Sequence, residues 1–281
     1  MPRTRRLLLG LIGEGIAASR TPSMHEREAA AHGLQCVYQR LELDATRTDE
    51  LPALIDACER VGFAGLNITH PFKQHVMAHL TELSADAAAV GSVNTVVFQD
   101  GRRMGHNTDW WAFREGLRRG LSGEARRRVV QLGAGGAGAA TAYAALCEGV
   151  EQLDLVDVAP ERAQTLASRL ATHFPARVSA AVNMEASLAQ ADGLIHATPT
   201  GMAAHPGLPL PAALLRPSLW VAEVVYFPLE TALLREARTR GCRTVDGSAM
   251  ALWQAVEAFR LFTGLTADPV RMRTFFDEAR A

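Results

Sequence analysis

Lys73 is the only lysine among 29 basic side chains; all the others are arginine. A guanidinium keeps its proton at any working pH, whereas an amine can release one when its surroundings favour the neutral form. Residue type therefore singles out Lys73 as a basic group able to exchange a proton, against the plainer reading of a surface lysine. A second chemical signature is Gly133-Ala134-Gly135-Gly136-Ala137-Gly138. It fits G-x-G-x-x-G, in which glycines let the backbone approach a pyrophosphate whose charge rests on the N-terminus of the next helix. Alone, the match is an ordinary turn. Between an apolar run and an Ala-rich helical stretch it reads as a dinucleotide loop. Asp157 ends the next apolar run, where a carboxylate accepts hydrogen bonds from a ribose 2′-hydroxyl and repels a 2′-phosphate. That favours NAD over NADP, although a carboxylate that merely caps the following helix looks the same in sequence.

Short apolar runs must position these groups. The pattern predicts strands at 7–12, 36–41 and 65–69, and helices at 23–32 and 49–61. A further helix is expected from about Pro71, and an exposed-edge strand over 92–98 precedes the turn Asp100-Gly101. This alternation implies a mostly parallel sheet covered by helices. Beyond a helix at 111–120 and a polar segment at 122–128, strands are expected at 129–132, 152–156, 193–197, 219–225 and 243–245. The glycine loop opens a helix at 139–147, and amphipathic helices at 250–263 and 269–279 close the chain. There is no internal repeat.

Composition excludes several classes. A formal charge of −1 offers no global attraction to nucleic acid or an anionic membrane, so an anionic substrate must be held by local groups. No apolar run reaches membrane-spanning length. The start, Arg5-Arg6 followed by 7–12, resembles the front of a secretion signal, but the apolar run is short and Glu14 follows closely; a buried first strand explains it better. Cys36, Cys58, Cys147 and Cys242 show neither C-x-x-C nor zinc-site spacing. They read as small core residues in a reducing compartment, with the cytoplasm expected and no metal.

Three further clusters stand in the first part: Ser19-Arg20-Thr21-Pro22, the run Asn67-Ile68-Thr69-His70-Pro71-Phe72-Lys73, and Gly105-His106-Asn107-Thr108-Asp109. With Gly91-Ser92-Val93-Asn94-Thr95, the glycine loop, Tyr226-Phe227-Pro228 and Gln254, the chain resembles the shikimate dehydrogenase family along nearly its whole length. The wording of the first two clusters and the acidic Asp157 look most like its NAD-dependent quinate/shikimate dehydrogenases. The resemblance implies an α/β protein. An N-terminal substrate domain (1–110, completed by about 247–281) is joined to a doubly wound Rossmann domain with a parallel sheet (111–246), the active site lying in the cleft between them. It implies hydride exchange between ring C3 and nicotinamide, interconverting shikimate or quinate with the 3-dehydro acid. The partner is then a small hydroxylated cyclohexane or cyclohexene carboxylate. Relatives are monomers or dimers, and a homodimer is favoured here.

The resemblance assigns Lys73 and Asp109 to catalysis, the amine exchanging the hydroxyl proton and the carboxylate orienting it; a structural interdomain salt bridge is the alternative. Ser19 and Thr21 match the hydroxyls that grip the substrate carboxylate. Thr21 before Pro22 also reads as a helix N-cap, and its β-branch offers a route to quinate preference. Thr69 and Asn94 match ligands of ring hydroxyls; Asn67 does too, or else shapes a turn. Tyr226 and Gln254 match substrate-side positions. The loop containing Thr198 and Thr200 is expected along the nicotinamide, with Gly247 as a close backbone neighbour. The cofactor set is then Gly133, Gly135, Gly136, Ala137, Gly138, Asp157, Thr198, Thr200 and Gly247. His70 and His106 read as scaffold. Two departures stand out: Trp110-Trp111-Ala112-Phe113 follows Asp109 where small residues are usual, and Glu223 replaces the usual aspartate. They leave open a modified, for example amino-substituted, ring acid, or a silent NAD-sensing regulator. A folate-type dehydrogenase is disfavoured by the paired hydroxyls of Ser19 and Thr21.

Overall fold

The computed structural model describes residues 6–278; Arg5 of the signal-like start and Ala279, the expected last helical residue, lie outside them. The chain forms two compact units, one of residues 1–108 and 252–281, the other of residues 109–251.

The first unit holds β1 (Arg6–Gly13), α1 (Thr21–Ala31), β2 (Gln35–Glu42), α2 (Leu51–Arg60), β3 (Gly65–Ile68), β4 (Glu82–Leu83), α3 (Ala85–Val90), β5 (Thr95–Gln99) and β6 (Arg102–His106). Its sheet runs β2-β1-β3-β5-β6-β4. The β2, β1 and β3 strands are parallel, β5 is antiparallel to β3 and β6, and β4 runs parallel to β6. The sheet is thus mostly parallel as expected, with β5 alone running against the other five strands. Nor is β5 an edge: it pairs on both sides, and Thr95 and Val96 are fully buried. The helix expected from Pro71 is absent. Residues 70–74 form turns that lead into a 3-10 segment, His75–His79. The carbonyls that would start a helix are taken elsewhere, His70 O by Glu14 N at 3.0 Å and Lys73 O by Val93 N at 2.8 Å. One face of the sheet packs Ile12, Leu51, Ile55, Leu66, Phe72 and Val96 into a continuous core.

The chain enters the second unit at the start of α4 (Thr108–Gly120). There follow β7 (Arg128–Leu132), α5 (Gly136–Cys147), β8 (Gln152–Val156), α6 (Pro160–Ala171), β9 (Val178–Ala180), α7 (Met184–Ala189), β10 (Gly193–His196), β11 (Trp220–Glu223), α8 (Ala232–Thr239) and β12 (Thr244–Val245). It leaves within α9 (Ser248–Thr263), and α10 (Pro269–Glu278) belongs to the first unit. Every pairing in the second sheet is parallel, in the order β12-β11-β10-β7-β8-β9. Counted from β7, that is the doubly wound order 3-2-1-4-5-6, with its switch point between β7 and β10. Strands buried on both faces explain the near-continuous apolar runs. Among the described residues no helix is long and apolar enough to cross a membrane.

The four cysteines are free thiols. Cys58 and Cys242 are buried as expected, but Cys147 is exposed and Cys36 half-buried. Burial pushes the Cys36 thiol up to about 12 and that of Cys58 to about 11, so both stay protonated.

Candidate active site

In the second unit the glycine loop joins β7 to α5. Gly133 turns the chain with φ 100°, and a Cβ there would lie 2.5 Å from the Ala197 carbonyl oxygen. A Cβ on Gly138 would sit 2.3 Å from the oxygen of Gly133, so strand and helix meet too closely for any side chain. Around Gly135 and Gly136 there is nothing within 4 Å of an added Cβ. Gly135 is the N-cap residue of α5 and has no side chain to satisfy the first backbone N–H groups. Tight turn, open approach and close packing fall on the three motif glycines in the order a pyrophosphate site requires. Ala137, half-buried in the first turn, completes the loop.

A residue outside the glycine motif braces this loop. Gln131, fully buried on β7, donates through Nε2 to the carbonyls of Gly133 (2.8 Å) and Gly138 (2.7 Å), and accepts the Thr141 hydroxyl on Oε1 at 2.9 Å. The signal available in sequence was a lone amide in the apolar run Val-Val-Gln-Leu, since a buried polar group needs partners.

Asp157 follows β8. Its Oδ2 accepts the Ala134 backbone N–H at 2.8 Å and its Oδ1 that of Ala159 at 3.0 Å. The carboxylate is therefore tied to the glycine loop. It is not the N-cap of α6; that residue is Ala159, with no side-chain cap. On the other side of the switch point, Thr198 follows β10, with its methyl 3.1 Å from where a Gly133 Cβ would stand. Its hydroxyl lies 2.6 Å from His196 Nε2 and accepts the Thr200 N–H at 3.3 Å. Gly247 is forced to be glycine by the carbonyl oxygens of Val224 and Val225, each 2.5 Å from an added Cβ. Tyr226 and Phe227 are exposed at 53% and 64%.

In the first unit a buried hydrogen-bond network gathers residues from four segments. Burial pushes the Tyr38 phenol well above its ordinary range, so it donates, to Asn67 Oδ1 at 2.7 Å. Asn67 Nδ2 donates to Thr95 Oγ1 (3.0 Å) and to the Asn94 carbonyl (3.3 Å). Thr95 in turn donates to Asn94 Oδ1 at 3.1 Å, which also accepts the Thr108 N–H at 2.7 Å, and Asn94 Nδ2 donates to Thr108 Oγ1 at 3.0 Å. Asn67 thus lies inside β3 and shapes no turn. The first backbone group of α4 is held by Asn94. Tyr38, Thr95 and Thr108 escaped sequence reasoning because the bonds that tie them to Asn67 and Asn94 join separate segments, apart from that between the neighbours Thr95 and Asn94.

The other first-unit candidates are half-buried. Lys73 lies within the turns at 70–74, Thr69 directly follows β3 with its N–H on the Ile12 carbonyl at 2.9 Å, and Gln254 lies on α9. Ser19 Oγ accepts the Thr21 N–H at 3.4 Å. Thr21 is not the N-cap of α1: the cap position is Arg20, and Thr21 is the first helical residue. Asp109, 4% exposed, sits in the first turn of α4 in the second unit. Burial holds the His106 imidazole below its usual range, which fits a scaffold role, and His70 is exposed. Among the described residues no group of His, Cys, Asp and Glu could hold a metal ion.

The second unit is a nucleotide-binding Rossmann unit. Residues 11–96 match the family model described as the shikimate dehydrogenase substrate binding domain. A shikimate dehydrogenase (NADP+) of Streptomyces avermitilis is 54% identical over 94% of this chain and 93% of its own. A quinate/shikimate dehydrogenase (NAD+) of Corynebacterium efficiens is 50% identical over 96% and 97%. The solved quinate dehydrogenase of Corynebacterium glutamicum, in complex with NAD, superposes with a TM-score of 0.93 at 46% identity, over 98% of this chain and 100% of that one. The chain belongs to the shikimate dehydrogenase family.

Proposed function

We propose that this chain is an NAD-dependent dehydrogenase that interconverts shikimate or quinate with the corresponding 3-dehydro acid. The observation that carries the choice of NAD is the Asp157 carboxylate after β8, held beside the glycine loop by Ala134 N and Ala159 N. A negative charge there repels a 2′-phosphate and accepts from a 2′-hydroxyl. The relatives themselves divide between the two cofactors.

The open Gly135 and Gly136 backbone at the start of α5 fits a pyrophosphate, so the second unit would hold the dinucleotide and the first unit the ring acid. When bound, the dinucleotide supplies the acceptor or donor of hydride. The chain's own residues manage the proton. Lys73 takes the C3 hydroxyl proton in oxidation and returns it in reduction, while Asp109 stabilises the ammonium. Ser19 and Thr21 hold the carboxylate, and Thr69, Tyr226 and Gln254 the remaining polar edge.

The two asparagines divide their work. Both amide hydrogens of Asn67 have protein acceptors, so Asn67 offers a ring hydroxyl an acceptor at most. Asn94 has one Nδ2 hydrogen bonded to Thr108 and one to offer.

Initial rates with quinate and with shikimate, each with NAD and with NADP, test the proposal. Turnover of either acid with NAD well above NADP is expected. Preference for NADP removes the role of Asp157. Inertness towards both acids, with NADH still bound, points to a modified ring acid or a sensor.

A further inference from the structure

His196 and Glu223 are partners in register across β10 and β11, at the C-terminal ends of both strands. They are 0% and 1% exposed, with His196 Nδ1 2.8 Å from Glu223 Oε1. The carboxylate accepts on both oxygens: the Val225 N–H reaches Oε1 at 3.0 Å, and the Thr231 hydroxyl reaches Oε2 at 3.0 Å. Thr231 in turn caps α8 through Leu234 N at 3.2 Å. Because a carboxylate only accepts, the imidazole donates from Nδ1, and its Nε2 meets the Thr198 hydroxyl at 2.6 Å. Three of these partners, Thr198, Val225 and Thr231, lie in the segments that leave β10 and β11.

Such a pair is an expensive way to hold two strands together. Apolar side chains of similar volume usually serve a sheet as well or better, because burying ionisable groups costs desolvation. What apolar groups cannot do is fix the direction of a hydroxyl and of a loop backbone. In a 3-2-1-4-5-6 sheet a dinucleotide lies along the C-terminal edge, with its halves on either side of the switch point. The glycine loop and Asp157 take the adenosine half over β7 and β8, which leaves the nicotinamide half to the loops after β10 and β11.

We infer that His196 and Glu223 are positioning residues for the nicotinamide half: they lock Thr198 and the 224–226 backbone in place without touching the cofactor. This rests on the dinucleotide reading above. It predicts that the pair matters for the nicotinamide end and not for the adenosine end.

The test replaces both members at once, His196→Leu with Glu223→Met, so that no buried charge is stranded. Binding of NAD and of ADP-ribose, which lacks the nicotinamide, is measured by calorimetry. ADP-ribose affinity should stay within about twofold of the parent while NAD weakens about three- to tenfold, the loss of one or two oriented hydrogen bonds. In quinate or shikimate oxidation kcat should fall about tenfold or more, as misplacement near reacting atoms does. His196→Gln, which keeps an amide able to bridge Glu223 and Thr198, should recover most of the loss. If the double variant does not fold, Thr198→Val carries the same binding prediction. Parallel loss of NAD and ADP-ribose affinity, or no change in a folded variant, overturns the inference. Inactivity of the parent on both acids, with the binding contrast intact, defeats the dehydrogenase reading and upholds this one.

Discussion

Asp157 and Ala134 are joined by a 2.8 Å hydrogen bond from the backbone N–H of the glycine loop to Oδ2 of the carboxylate. One side chain thus shapes the phosphate loop and sets the charge beside it. The two roles separate in mutants. Asp157→Asn keeps an acceptor for Ala134 and removes the charge; Asp157→Ala removes both. The NAD-to-NADP ratio of kcat/KM should fall about tenfold or more in each, by loss of repulsion to the 2′-phosphate. Only the alanine variant should also weaken NAD markedly. An unchanged ratio in both would remove Asp157 from cofactor choice.

Lys73→Met should lower kcat for either ring acid by about a hundredfold to ten-thousandfold, the usual contribution of a positioned proton-transfer group. The dinucleotide Kd should move little, because Lys73 belongs to the unit that lacks the glycine loop. Steady-state rates beside fluorescence titration of NADH decide the matter. Equal losses in turnover and cofactor affinity would assign Lys73 to structure.

Gln131→Leu should destabilise the second unit and loosen the dinucleotide together. It strips the buried carbonyl of Gly133 of its side-chain donor and removes one of two bonds from the Gly138 carbonyl and the Thr141 hydroxyl, which keep their 3.1 Å bond to each other. Each buried group left unpaired costs about 1–3 kcal/mol, so a drop in Tm of several degrees is expected. Saturating NAD should recover part of it. A variant with the parent's Tm would mean the loop holds its shape unaided.

His25 gives the first unit an acid-sensitive core. Its ring is fully buried beside Tyr38, Phe259 and Phe262, with centroids 5.2, 6.0 and 5.9 Å away, and neither nitrogen has a hydrogen-bond partner among the described residues. Burial pulls its pKa from 6.5 down to about 3, against a smaller upward pull from Glu28. Between those values the unfolded chain binds a proton that the folded chain does not. The stability His25 permits is therefore complete above pH 6.5 and lost as pH falls towards about 3, at up to about 1.4 kcal/mol per unit. His25→Phe should flatten that acid limb in urea titrations at successive pH values. It should also raise stability at neutral pH, since it removes two unpaired buried nitrogens. An unchanged slope would place the acid sensitivity elsewhere.

The sequence carried the dinucleotide unit almost whole. Its strands are buried on both faces and so read as apolar runs, and β8 falls at 152–156 as the pattern predicts. Gly133 and Gly138 are legible because backbone crowding admits no other residue there. Lys73 stands out by residue type alone. The tertiary structure decided what depends on partners distant in the chain. Two neighbouring strands change β5 from an exposed edge into an interior strand, and outside N–H groups take the carbonyls that a helix from Pro71 would need. Asn67 and Asn94 are polar residues in apolar runs; only folding shows that Tyr38, Thr95 and Thr108 consume most of their hydrogen-bonding capacity. His196 and Glu223, 27 residues apart, become a pair only because β10 and β11 lie in register. Local pattern encodes burial and backbone conformation, which act over a few residues. Which polar group satisfies which is settled by the packing of segments that local pattern does not relate.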